Sequence, residues 1–218
     1  TSIALPTLRH QIFELGSIYT NQEFWKCAPL ISTSLAANMA IQGLWAGPWL
    51  KDVASLERGP VAHYLLLLAL ALAIGSLITG ALANWLEKFK VSLLTFFTVS
   101  MLLFMISQLL IIFELAPTSI YPWLAFGLLA NSAMVVYAHL TRFFPNELSG
   151  RVITAVNVMT FGGVFLIQYL IGEIINFFPT GQNGEYSSKG FFWGFGLALL
   201  AQFLSFIWFI LPRSAKVG

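Results

Sequence analysis

The stretch LLLLALALA at residues 65–73 indicates the fold class, because it is apolar throughout and does not alternate in polarity. It lies within 28 residues between Arg58 and Glu87 that carry no formal charge. A helix rises about 1.5 Å per residue and needs about 20 residues to cross about 30 Å of hydrocarbon. A membrane strand would instead show about ten residues of alternating polarity. The stretch therefore predicts a transmembrane helix.

Five further uncharged runs have a similar length. They contain 21 to 27 residues and lie between Lys26 and Lys51, Lys90 and Glu114, Glu114 and Arg142, Arg151 and Glu173, and Lys189 and Arg213. Each run is long enough for one crossing and too short for two. We therefore expect an all-α membrane protein with six transmembrane helices.

The composition agrees with this class. Apolar residues make up 58% of the 218 residues and charged residues only 9%, whereas soluble proteins carry about 25% charge. The net charge of +2 is too small to indicate nucleic-acid binding. The single cysteine, Cys27, excludes an internal disulfide and a four-thiolate metal site.

The basic residues predict the orientation. With six spans both termini lie on one side, and that side holds eight basic residues against three on the other. The eight are Arg9, Lys26, Lys88, Lys90, Arg142, Arg151, Arg213 and Lys216, and the three are Lys51, Arg58 and Lys189. Because basic residues accumulate in cytoplasmic loops, both termini are expected to be cytoplasmic.

The same reasoning divides the chain. Residues 24–212 are expected to form the six-helix unit and residues 213–218 a cytoplasmic tail. Residues 1–23 are interpreted either as an amphipathic helix on the membrane surface or as an ordinary cytoplasmic linker. Since the chain has no initiator methionine, we expect it to be the later portion of something longer.

Three segments carry a family resemblance. They are GALANWLEKFK at 80–90, FPNELSGRV at 144–152 and QGLWAGPWL at 42–50. With the six predicted helices, they resemble the C-terminal half of a major facilitator superfamily transporter. That family has two six-helix halves, each built from two inverted three-helix repeats, and it moves solutes by alternating access.

The resemblance implies a function and partners. The chain would be a permease half in the bilayer, in a bacterial inner membrane, acting with an N-terminal six-helix half on a small solute. It implies no cofactor and no metal. The alternative is a noncatalytic, transporter-like membrane scaffold or accessory subunit of a larger complex.

The resemblance also assigns candidate gating residues in two cytoplasmic loops. They are Gly80, Asn84, Lys88, Glu147, Gly150 and Arg151. The match departs from the family pattern, because Asn84 replaces the acidic residue that forms the family's charge relay. Glu147 and Arg151 are four residues apart and share a face if their helix starts early enough. The alternative is that both simply face cytoplasmic water.

Uncharged amides at mid-depth are the candidates for a substrate cavity. An amide without a partner is costly in hydrocarbon, so it should face protein or water. Ser34, Asn38, Gln42, Trp45 and Trp49 follow helical spacing and are expected to form one face. The cavity candidates are Asn38, Gln42, Trp45, Asn131 and Asn157. The alternative is that these amides only join helices.

Enzyme motifs are absent from the sequence. It contains no G-x-S segment, no HExxH and no phosphate loop, and Asp52 is its only aspartate. The chain is therefore not expected to be an enzyme. Small residues at Gly43 and Gly47, Ser76 and Gly80, and Gly190 and Gly194 are expected to allow close helix approach.

Overall fold

The computed structural model describes residues 8–88, 92–181 and 184–211. The described part is all-helical. Its elements are α1 (Leu8–Thr20), α2 (Gln22–Ala40), a π turn (Ile41–Trp45), α3 (Ala46–Asp52), α4 (Arg58–Lys88), α5 (Leu93–Ile112), α6 (Tyr121–Leu129), α7 (Met134–Thr141), a 3-10 turn (Asn146–Leu148), α8 (Ser149–Phe177) and α9 (Ser188–Ile210). The predicted tail at 213–218 lies outside the described residues.

Five segments are long and apolar enough to cross a membrane. They are Arg58–Leu82, Leu94–Ile112, Tyr121–Thr141, Asn146–Phe177 and Ser188–Ile210. They correspond to the second to sixth uncharged runs of the sequence. The class of an all-helical membrane protein thus follows from the helices themselves.

The first uncharged run is helical but is not among those five segments. It continues from α2 through the π turn to α3, and it is more polar than the others. Twelve of the nineteen residues of α2 are buried, so this helix lies inside the bundle. A helix covered by protein needs less apolar surface than one that faces lipid, which explains its lower hydropathy.

The packing follows a simple pattern. Helix α2 packs mainly on α8 and then on α9, and α4 packs mainly on α6. Helix α5 packs on α6 and on α9. The buried side chains from these contacts form one apolar core, with Phe97, Phe104, Phe126 and Phe195 among the largest.

The positions at which small residues allow close helix approach were predicted only in part. A Cβ at Gly190 would lie 2.9 Å from the backbone of Ile175, so the expected close approach at the start of α9 is confirmed. No described atom lies within 4 Å of a Cβ built at Gly43 or Gly80. The prediction of a close helix approach at these two positions was therefore wrong. The tightest contact is instead at Gly75, where a Cβ would lie 2.3 Å from the carbonyl oxygen of Leu128.

A reciprocal amide pair joins α5 and α9. Gln108 Nε2 donates to Gln202 Oε1 at 3.2 Å, and Gln202 Nε2 donates to Gln108 Oε1 at 2.8 Å. Both side chains are buried, at 2% and 0% exposure. Each amide therefore satisfies the other in a region without water.

This pair leads to a stability prediction. Gln108→Leu leaves the amide of Gln202 buried without a partner, so we expect it to lower unfolding stability in detergent by about 1 kcal/mol. The double variant Gln108→Leu, Gln202→Leu removes both amides and should recover most of that loss. Chemical unfolding of the unmodified protein, Gln108→Leu, Gln202→Leu and the double variant checks this. A double variant whose loss of unfolding stability equals the sum of the losses in the two single variants would contradict this prediction.

Candidate functional site

Four of the five candidate cavity residues line one cavity of about 600 Å³. Asn38 comes from α2, Gln42 from the π turn, Asn131 from the break between α6 and α7, and Asn157 from α8. The remaining lining is mostly apolar and consists of Leu35, Met39, Leu72, Met134, Tyr137, Ile153, Thr160 and Phe161. A cavity with apolar walls and a few convergent polar groups is the usual form of a small-molecule site.

The π turn determines which residues of the first helical run reach the cavity. The backbone N–H of Ala46 donates to the carbonyl of Ile41, five residues earlier, which adds one residue to this turn. Such single π turns occur frequently at functional sites. Gln42 and Trp45 both lie in this turn, but only Gln42 lines the cavity.

Trp45 is placed elsewhere. Its ring lies against Tyr186 and Phe191, with centroids 6.4 Å apart in both pairs, and a Cβ at Gly172 would lie 3.2 Å from its Cζ2. The expectation that five polar and aromatic residues form one face is wrong. The additional residue of the π turn rotates the later part of the helix, so Trp45 joins the packing near the end of the bundle.

The two outer members of that predicted face also lie apart from the cavity. Ser34 is fully buried and its hydroxyl donates to Met101 Sδ at 3.4 Å. Trp49 lies edge-on to Trp123, with ring centroids 5.3 Å apart. Both residues therefore contribute to the core.

Asn131 reaches the cavity because the helix is broken there. Between α6 and α7 the backbone turns on three-residue hydrogen bonds, from Ser132 N to Leu129 O and from Met134 N to Asn131 O, both at 3.0 Å. Asn131 Nδ2 donates to Ser76 Oγ of α4 at 2.7 Å. At membrane depth, irregular backbone is tolerated where it is covered by protein or lines a cavity.

Asn157 and Tyr137 form a second fixed pair. The hydroxyl of Tyr137 donates to Asn157 Oδ1 at 2.8 Å, linking α7 to α8 across the cavity wall. The amides were predicted either to line a cavity or to join helices. For Asn131 and Asn157 the two interpretations are compatible, since each amide does both.

Asn38 differs from the other amides. It is only 4% exposed, and its Oδ1 accepts no hydrogen bond from the described residues. It lies near the middle of the helical run from Gln22 to Asp52. A buried acceptor without a partner is unfavourable, so Asn38 Oδ1 would gain energy from a donor that the described residues do not supply.

Five of the six candidate gating residues lie in helices and not in the predicted loops, namely Gly80, Asn84 and Lys88 in α4 and Gly150 and Arg151 in α8. Glu147 lies in the 3-10 turn before α8 and is exposed, so it precedes the helix on which Arg151 lies. The predicted shared helix face therefore does not form. Arg151 forms an ion pair with Glu14 of α1, a partner the sequence reasoning missed because the two residues are 137 positions apart.

Three of the other gating candidates are exposed to the surroundings of the bundle. Gly80 and Gly150 are exposed, and no described atom lies within 4 Å of a Cβ built at either position. Lys88 is exposed at the end of α4. The side chain of Asn84 lies outside the described part of the chain. Its role as a gating residue stays a prediction.

A second groove of about 600 Å³ lies between α5, α8 and α9. Its lining residues are all apolar or glycine, with Phe113, Phe177 and Trp193 among them. Such a groove suits hydrocarbon but has no polar group to orient a solute. The amide cavity is therefore the candidate functional site.

No known protein family matches this sequence, and a search of curated proteins finds no relative.

Proposed function

We propose that this chain is the C-terminal six-helix half of a transporter of the major facilitator type, which carries a small solute by alternating access. The observation that carries the proposal is the cavity lined by Asn38, Gln42, Asn131 and Asn157. Membrane transporters bind solutes near the middle of the bilayer, at the interface between structural repeats. The proposal makes the helical run of α2, the π turn and α3 a sixth span.

The contacts of the first helices, α2 and α6, support two inverted three-helix repeats, whereas the contact of α8 with α9 is more extensive than its counterpart between α4 and α5. In this reading the first repeat holds the α2–α3 run, α4 and α5, and the second holds α6–α7, α8 and α9. If the two repeats exchange places, α6 takes the position of α2 and α4 takes the position of α8. The contact of α2 with α8 therefore corresponds to the contact of α6 with α4. The contact of α2 with α9 likewise corresponds to that of α6 with α5, and all four contacts are extensive.

The reciprocal glutamine pair supports the same symmetry. Gln108 is fifteen residues after the first residue of α5, and Gln202 is fourteen after the first residue of α9. Residues related by a two-fold axis contact each other reciprocally, as these two amides do. The pseudo-symmetry axis of the proposal passes between them.

The helix irregularities support a binding site in the first helix of each repeat. The first repeat has the π turn at Ile41–Trp45, and the second has the break after Leu129. Interrupted helices at corresponding positions of two repeats indicate the binding site in secondary transporters. Gln42 and Asn131 lie in these two interruptions.

The open side of the cavity supports a second half. Met134 and Phe161 are 53% and 50% exposed at the cavity, and neighbouring Val158 is 64% exposed. If this side faced lipid, the amides beside it would lie in hydrocarbon at considerable cost. A further six-helix half of the same polypeptide, covering this side, removes that cost.

The proposal is tested by solute uptake. The full gene product is reconstituted in vesicles, and uptake is measured for sugars, polyols, amino acids, organic acids and amines. Uptake of a solute that saturates and is competed by its unlabelled form supports the proposal. Copurification with a complex and no uptake of any of these solutes would support a scaffold instead.

Topology gives a second test. We expect Lys88 to be cytoplasmic and Lys189 external, because eight of eleven basic residues fall on the side of Lys88. Single cysteines at the two positions, in a background lacking Cys27, are exposed to an impermeant thiol reagent in intact cells of a bacterial host. Labelling should occur at position 189 alone. Labelling at 88 and not at 189 would reverse the proposed orientation.

A further inference from the structure

The hydrogen bonds of the cavity determine which amide atoms are available to a solute. Asn131 Nδ2 donates to Ser76 Oγ, whose own hydroxyl donates to the carbonyl of Leu72 at 2.8 Å. This chain orients the amide and leaves Asn131 Oδ1 as an acceptor, with no other partner among the described residues. Asn157 Oδ1 is occupied by Tyr137, so the amide N–H groups of Asn157 remain as donors.

Asn38 adds an acceptor that the folded chain leaves unsatisfied. Its Oδ1 is buried beside the cavity, with no partner among the described residues, so a solute hydroxyl reaches it only when the wall shifts. Leaving such a group unpaired costs about 1–3 kcal/mol, so a ligand that donates to it recovers part of that energy. Gln42 also lines the cavity with its amide, so the wall offers both hydrogen-bond acceptors and donors.

The part of the cavity wall that the described residues form carries no charged side chain. None of the twelve lining residues is a carboxylate, a lysine, an arginine or a histidine. An ion entering this space would lose its hydration without gaining an opposite charge from these walls, which is strongly unfavourable. The walls therefore favour neutral solutes over charged ones.

A hydroxyl group fits this combination best. It donates one hydrogen bond and accepts up to two, so one hydroxyl can donate to Asn38 or to Asn131 while it accepts from Asn157. An ammonium group only donates, and an ionised carboxylate only accepts. The rest of the wall, including Phe161 and Met39, is suited to a carbon face.

We propose that the cavity selects an uncharged, hydroxyl-bearing solute, and that Asn38 Oδ1 accepts a hydrogen bond from one of its hydroxyl groups. This assignment rests on the proposed transport function and narrows its substrate class. Asn38 then binds the solute, whereas the uncharged walls disfavour its charged analogues.

The experiment compares matched solutes. Proteoliposomes holding the full gene product are given neutral monosaccharides, polyols and nucleosides. Each is paired with a carboxylate or amino derivative on the same carbon frame. Uptake is measured for the unmodified protein, for Asn38→Leu, and for Ser34→Ala, which alters a buried hydroxyl one turn away and outside the cavity.

The expected result is saturable uptake of at least one neutral member, at least about tenfold faster than its charged derivative at equal concentration. Asn38→Leu should lower that uptake at least about tenfold, and Ser34→Ala should not.

Two results would overturn this assignment while leaving transport in place. One is preferred uptake of a charged derivative, and the other is neutral uptake that Asn38→Leu does not change. Failure of every solute in every class, with the protein folded in the vesicles, would instead overturn the proposed function and this assignment with it.

Discussion

Replacing Asn38 by leucine should lower solute uptake at least about tenfold while leaving the amount of protein in the membrane nearly unchanged. The reason is that Asn38 Oδ1 has no partner among the described residues, so its loss breaks no hydrogen bond of the folded chain that the structure describes. The folding cost should be below the average of about 0.6 kcal/mol for an interhelical hydrogen bond in a membrane. Uptake and immunoblot of the same vesicles measure the two effects.

The control for this prediction is Ser34→Ala on the same helix. Ser34 is as deeply buried, but its hydroxyl bonds Met101 and lies outside the cavity. We expect its uptake to stay within about twofold of the unmodified protein, since its bond to sulfur is weak. If Asn38→Leu lost protein and uptake in equal proportion, Asn38 would be a structural residue and not a solute contact.

The second large effect is expected at Gly75, where α4 and α6 make their closest contact. An alanine Cβ there would lie 2.3 Å from the carbonyl oxygen of Leu128 and 2.7 Å from its Cα. Backbone cannot yield as a flexible side chain does, so Gly75→Ala should lower unfolding stability by about 1–3 kcal/mol. Because Ser76 is the next residue, the shift should also loosen the hydrogen bond to Asn131.

Gly80 on the same helix provides the matched control. A Cβ at Gly80 meets no described atom within 4 Å, so Gly80→Ala should leave stability equal or raise it by about 0.5–1 kcal/mol. Thermal unfolding in detergent of the two variants makes the comparison. Equal stability of Gly75→Ala and Gly80→Ala would show that the close approach of α4 and α6 is not required.

The class of the fold was predictable because charge spacing alone reports membrane crossings. The uncharged runs between charged residues matched five segments that are long and apolar enough to span. The first run was harder to identify as a span from its hydropathy, because its helix is covered by α8 and α9 and carries fewer apolar residues. Hydropathy measures lipid exposure, so it is least informative for a helix in the middle of a bundle.

The candidate cavity was predictable in part for the same physical reason. Amides at mid-depth must face protein or water, and Asn38, Gln42, Asn131 and Asn157 indeed lie around one cavity. The placement of Trp45 was not predictable, since regular helical spacing does not anticipate a π turn. Neither was the break at Asn131, where no proline interrupts the sequence.

Contacts between distant residues were the least accessible to sequence reasoning. Gln108 gave no signal beyond being a polar residue in an apolar run, and its partner Gln202 is 94 positions away. The pair of Glu14 and Arg151 was likewise missed in favour of the nearer Glu147. Local spacing favours local partners, whereas these two pairs depend on which helices the fold places side by side.

Blocking the amide cavity tests the central claim most directly. Met134 lies on the cavity wall and is 53% exposed, and its side chain makes no polar contact with the described residues that a cysteine would remove. Met134→Cys is prepared in a Cys27→Ala background beside Ile106→Cys, which is 49% exposed on α5 and outside the cavity.

Uptake is measured before and after an impermeant, bulky thiol reagent. We expect the reagent to abolish uptake by Met134→Cys, an excess of the transported solute to protect it, and Ile106→Cys to be unaffected. Full uptake by Met134→Cys after complete labelling would contradict the claim that solute passes through this cavity.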